Sequence, residues 1–240
     1  MAASTGGWHQ LSAFKPLPTF PRAGVYFFVE PGEYRSGSRD SRITRVGTHR
    51  VREGSQQALW PRLRQHRGTA DGTGGHRAGS IFRFHVGLAI LARDGAPAPW
   101  LASRETRRES ITEWGRRLGA ADASSSDQLY EQAISSFIGR TRFTYVAISD
   151  VSSKRSDRAF IERNAIGLLA VIGRRVDPPS PGWLGQYSPK AQVASTGLWN
   201  MDHVNAPYDS RFLEVFETYA GATCGVCTPP SGSIAPTGWI

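Results

Sequence analysis

Gly24–Glu30 (GVYFFVE) and Arg42–His49 (RITRVGTH) are the stretches on which the fold turns. Both are short runs of apolar, β-branched and aromatic residues separated by a polar segment from Pro31 to Ser41, so they read as a strand pair. Upstream, Pro16, Pro18 and Pro21 among Ser, Thr and Gly describe an irregular arm over residues 1–21. Downstream, Leu59, Trp60 and Leu63 recur at helical spacing within Ser55–Arg67. Ser55 can cap that helix and Gly68 stop it, while Pro61 places its firm start near Trp60. After the glycine-rich loop Gly68–Gly79, the apolar run Ser80–Ala92 (SIFRFHVGLAILA) is read as a helix. Residues 93–127 turn highly charged (SRETRRESITEWGRRL) and end in Ser124–Ser126, the profile of a helical insertion. Leu129–Ile138 predicts a helix, Arg142–Ser149 (RFTYVAIS) alternates as a strand should, and Asp157–Ile172 predicts a strongly apolar helix. This order defines an α/β (α+β) fold, a small central antiparallel-containing sheet flanked by helices. Residues 22–175 form its core and residues 176–240 a C-terminal extension rich in turns and aromatics, with no internal repeat.

The formal net charge is +9 over 240 residues, and Lys15, Lys154 and Lys190 are the only lysines. Arginine offers a planar, permanently charged fork that grips phosphate through two parallel hydrogen bonds, so this balance favours a polyanionic partner. A genome rich in Arg codons gives the same balance, and charge alone decides nothing. Two cysteines, Cys224 and Cys227, exclude a disulfide framework, and a single CxxC lacks the second ligand pair of a structural zinc site. Met1–Phe14 shows no secretory pattern, and the apolar stretches Val86–Ala92 and Ala165–Ile172 fall far short of the roughly 20 residues that span a bilayer. A soluble, cytoplasmic protein with no membrane partner is expected.

The chemistry resides in residues on these elements. Gly24-Val25-Tyr26 and Arg45-Val46-Gly47 lie on adjacent predicted strands, a helix with Arg62 and His66 follows, and Glu162 opens a later apolar helix. In that order they resemble the two half-motifs and helical residues of the GIY-YIG nucleases, over roughly residues 22–175 apart from the insertion. The resemblance implies a metal-dependent DNA endonuclease that leaves 5′-phosphate and 3′-hydroxyl ends. It makes Tyr26, Arg45, Arg62, His66 and Glu162 the catalytic candidates, with Glu162 the ligand of Mg²⁺ or another divalent metal such as Mn²⁺. Tyr26 would orient or deprotonate the attacking water. The residue types suit phosphodiester cleavage independently: a water must be activated and charge neutralised as the phosphorus becomes five-coordinate. Arg62 and His66 are one turn apart on one helix face, where a permanent cation and an imidazole could meet the same phosphate. Glu162 offers a hard oxygen to an ion that takes few protein ligands.

Two positions depart from the pattern. Arg45 replaces the tyrosine of the second half-motif and cannot act as a base, so it is expected to bind the scissile phosphate or assist Tyr26 through its charge. The asparagine that many relatives carry beyond the glutamate falls near Arg174, so that role is either empty or taken by Asn164 or Asn200. DNA-backbone contacts are expected from Arg42, His49, Arg64 and Arg67 around the strands and helix, and from His76, Arg77 and Arg83 at the glycine-rich loop, which has no Lys-Ser/Thr pair for a nucleotide site. Each residue taken singly has an ordinary structural explanation: Tyr26 in the core, Arg62 and His66 on a solvated face, Glu162 at a helix cap. The interleaved Glu105, Glu109, Glu113 and arginines of the insertion read as a salt-bridged solvated helix. Trp183, Tyr187, Trp199, His203 and Tyr208 read as packing for the extension more readily than as base-stacking residues. Besides an active nuclease, able to cut both strands as a homodimer, the sequence admits an inactive DNA-binding relative or a protein-interaction module of a repair or restriction system.

Overall fold

A computed structural model describes residues 7–49, 58–151, 153–170 and 177–239. The expected cap Ser55, the end of the helix at Ile172, and Arg174 lie outside them. Four strands, β1 (His9–Gln10), β2 (Gly24–Tyr34), β3 (Ser41–Thr48) and β4 (Arg142–Ala147), form an antiparallel sheet in the order β1-β4-β2-β3. The α/β fold expected from the sequence is the one observed.

Side-chain alternation sends the two faces of β2 to different cores. Tyr26 and Phe28 pack on one side with α1 (Leu59–Arg67), α2 (Ile81–Arg93) and α4 (Ala123–Gly139), whereas Val25 and Phe27 pack on the other with α5 (Asp157–Leu169). In the β2–β3 register Tyr26 faces Gly47 and Phe28 faces Arg45, so these residues of the half-motifs turn toward the α1/α2 side while Val25 and Val46 join the α5 side. Pro31 lies in the irregular stretch between Val29 and Tyr34, where β2 and β3 lose register and a missing N–H breaks no ladder bond. β2 therefore runs on to Tyr34, past the loop start expected at Pro31.

Helix boundaries follow local chemistry. α1 begins at Leu59, and Pro61 sits in its first turn, where an N–H has no intrahelical acceptor. α3 (Arg104–Arg117) is the charged insertion helix, capped by Ser103. α4 starts earlier than the apolar pattern indicates, because Asp122 and Ser125 form a capping box that carries Ser124–Ser126 into the first turn.

The segment after residue 176 contains two helices not anticipated from sequence, α6 (Ala191–Thr196) and α7 (Phe212–Thr223). Trp183 and Trp199 join the α1/α2 core, and Val204, Phe212, Val215 and Tyr219 join the α5 core. Glu30 on β2 anchors the segment, accepting from the indole nitrogens of Trp183 (3.2 Å) and Trp199 (2.7 Å). The edge strand β3 gains partners there too: the Trp199 amide donates to the Thr44 carbonyl, and the Asn200 side chain bonds both the amide (3.0 Å) and the carbonyl (2.8 Å) of Val46. Among the described residues no helix is long and apolar enough to cross a membrane.

Candidate active site

Tyr26 projects from β2 beneath Gly47, the residue opposite it, and its hydroxyl lies 2.7 Å from His66 Nε2 on α1. His66 Nδ1 lies 2.8 Å from the Ser80 hydroxyl, which also accepts the Arg83 amide as the N-cap of α2. Tyr26, His66 and Ser80 are all closed to solvent. Burial, then Arg62, Arg45 and Arg83, hold the His66 imidazole well below its usual range, so it is neutral at pH 7. The placement differs from the sequence expectation. His66 turns inward to Tyr26 instead of sharing a phosphate with Arg62, because a nine-residue helix on this sheet keeps that edge of its face in the core.

Arg62 is half-buried and donates to Gln65 (2.6 Å) on its own helix. Arg45 is 8% exposed; its Nη1 donates to the Trp199 carbonyl (2.9 Å) and its guanidinium lies 5.0 Å over the Phe82 ring. Glu162 on α5 reaches the β3 end, where Oε1 accepts the Thr48 amide at 2.9 Å. Burial pushes its carboxyl up to about 7, and nearby Asp202 acts the same way, against the Thr48 amide, Arg45 and Arg62. Tyr26 opposite Gly47, with His66 bonded to it, and Glu162 on the Thr48 amide thus lie at one end of β3, and the charges of Arg45 and Arg62 act on both His66 and Glu162.

The expected DNA contacts divide by burial. Arg42 (1% exposed) is ion-paired to Glu33 at 2.7 Å, and Arg83 (0%) to Glu131 at 2.6 Å. Both are internal struts, a correction to the backbone-contact role, because a guanidinium so enclosed has no face to offer DNA. His49 is buried against Arg158 (2.8 Å), and burial with Arg158 and Arg62 brings its pKa to about 4. Arg67 is buried with its guanidinium over Trp60. Arg77 is part-buried and tied to Asp127 and Glu131, whereas Arg64 and His76 are exposed. Of the substitute asparagines, Asn164 binds the Phe160 carbonyl and the Asp209 amide, and Asn200 clamps Val46; both amides are spent on structure.

A divalent ion fits Glu162 on donor chemistry. One carboxylate oxygen takes the Thr48 amide, and no hydrogen bond among the described residues occupies the other. No group of three or more His, Cys, Asp or Glu converges among them, so the fit is to an ion such as Mg²⁺ that keeps most of its waters, not to a closed zinc-type cage.

The family model of the GIY-YIG domain matches residues 1–224, so the chain belongs to the GIY-YIG family. That is a nuclease-type family, which implies DNA as the substrate class, and its members generally use divalent metals. Comparison with curated proteins and with solved structures returns no match.

Proposed function

We propose that this protein is a metal-dependent DNA endonuclease that hydrolyses phosphodiester bonds at the end of β3, with Tyr26, Arg45, Arg62, His66 and Glu162 as its working residues. The observation that carries the reading is that the Tyr26–His66 pair, opposite Gly47, and the Glu162 carboxyl, on the Thr48 amide, meet adjacent residues of β3. Glu162 would hold Mg²⁺ or Mn²⁺, and the ion when bound supplies Lewis acidity and charge neutralisation at the phosphate. Arg62, half-buried with donors left over from Gln65, binds the scissile phosphate and offsets charge in the five-coordinate transition state. Arg45 adds positive potential there and does not stand in for the missing tyrosine as a base. Tyr26 orients the attacking water through a hydroxyl held 2.7 Å from His66 Nε2. His66, kept neutral by burial and by Arg62, Arg45 and Arg83, fixes that hydroxyl without adding charge to the site. The hydroxyl is covered in the free chain, so this role requires DNA binding to uncover it.

Hydrolysis leaves 5′-phosphate and 3′-hydroxyl ends, and cutting both strands calls for two copies or two successive nicks. A second reading, a DNA-binding relative without cleavage, draws on Arg45 in the tyrosine position and its commitment to the Trp199 carbonyl. Nicking of supercoiled plasmid and branched DNA with Mg²⁺, compared between wild type and Glu162→Ala, separates them. Mg²⁺-dependent nicking lost in the variant supports the nuclease. Salt-sensitive DNA binding without nicking in either protein leaves the second reading.

A further inference from the structure

The buried arginines of this chain fall into two groups. Arg42, Arg83 and Arg158 each meet a carboxylate, from Glu33, Glu131 and Asp150. Arg45 and Arg67, each 8% exposed, form no ion pair among the described residues. Arg67 sits in the last turn of α1, where helix carbonyls partly offset its charge. Arg45 is on a strand, without helix carbonyls to offset its charge, and the Glu162 carboxyl on which it acts forms no ion pair with it. A cation this enclosed without a direct ion-pair partner is costly, and an anion brought to its open side would offset that cost.

The surroundings of Arg45 supply the rest of a site. Its Nε is buried without a partner, Nη1 is used by Trp199, and Nη2 is neither bonded nor fully enclosed. The Phe82 ring beneath the guanidinium belongs to α2, and His85 is the next residue around on that helix face, 5% exposed, with Nδ1 also buried and unpartnered. The turn Leu184–Tyr187 packs along α2 and leads to exposed Lys190, whose charge reaches His85, as does that of Arg45. Arg45 and Lys190 thus flank His85, and Arg45 Nε and His85 Nδ1 are buried polar atoms with no partner among the described residues.

We propose that Arg45, His85 and Lys190 form a binding site for a phosphate group of the DNA backbone, next to but distinct from the scissile phosphate held by Arg62. The proposal rests on DNA being the ligand of this chain and does not require cleavage. The C-terminal segment, through Lys190 and the Trp199 carbonyl, thereby becomes part of the DNA-binding surface. Bidentate or paired contacts to phosphate would fix the register of the duplex without reading sequence.

The test follows the His85 imidazole by NMR in histidine-labelled protein without divalent metal, first adding inorganic phosphate and then a short duplex. Both additions are expected to shift the His85 signals, and Lys190→Ala to weaken duplex binding about 3- to 10-fold at 0.1 M salt while lowering the log K against log salt slope by roughly 0.9. An unmoved His85 signal while fluorescence anisotropy reports duplex binding overturns the proposal. A response to inorganic phosphate but not to DNA overturns the backbone assignment in favour of a free-phosphate site. Loss of the nuclease reading alone appears differently, as absent Mg²⁺-dependent nicking with the His85 response intact.

Discussion

A Cβ at position 47 would run into the Tyr26 hydroxyl, and one at position 24 would meet the Val146 carbonyl, so the glycines of both half-motifs keep space for a phenol and a neighbouring strand. Gly47→Ala is accordingly expected to cost about 1–3 kcal/mol in denaturant unfolding and to disturb the Tyr26–His66 bond. Glu162 gives a pH signature. Its folded pKa is raised from 4.5 to about 7, so its stabilising contribution is complete below 4.5 and is lost as pH rises through 7. Without metal, Glu162→Gln should therefore unfold a few degrees above wild type at pH 8 and show little difference at pH 4. Added Mg²⁺ at pH 8 should raise the wild-type Tm and leave the variant unchanged, because only the ionised carboxylate gains from the ion. A Tm difference independent of pH would remove Glu162 as the titrating group.

At the scale of elements, the segment Gly197–Asn200 closes the edge of β3 and holds Arg45, while its Trp199 fills the α1/α2 core. Trp199→Ala is expected to lower unfolding free energy by about 3–5 kcal/mol, and a change within 1 kcal/mol would mean the segment is dispensable to the sheet. This segment marks the limit of what the sequence disclosed. β2, β3, α2 and β4 were readable because apolar density and alternation are local properties, and the half-motifs sit on them. α7 was not readable: it lacks a side-chain N-cap, carries Gly221 near its end and follows a run of prolines and aromatics. Nor did spacing reveal that Arg42 and Arg83 meet carboxylates, since those partners lie on other elements, or that His66 faces inward from a helix whose Arg62 faces out. An i, i+4 pair shares a face, but a face wide enough for both can straddle the boundary of the core.

For the whole molecule, a net charge of +9 with Glu and Asp engaged by several internal arginines leaves the surface positive, and DNA affinity should fall steeply with salt. Exposed Arg64 should weaken duplex binding modestly and almost independently of sequence when changed to Ala, as a phosphate contact does. A sequence-selective loss would instead make it a base reader. Two cores on opposite faces of one sheet, both completed by residues after 176, fix β2 and β3 so that the Tyr26 phenol and the Glu162 carboxyl meet the same end of β3. The measurement that tests this convergence most directly is single-turnover plasmid nicking by Tyr26→Phe with Mg²⁺. The account predicts cleavage reduced at least 100-fold with duplex affinity and fold retained, since only one hydroxyl is removed. Cleavage at the wild-type rate would contradict it.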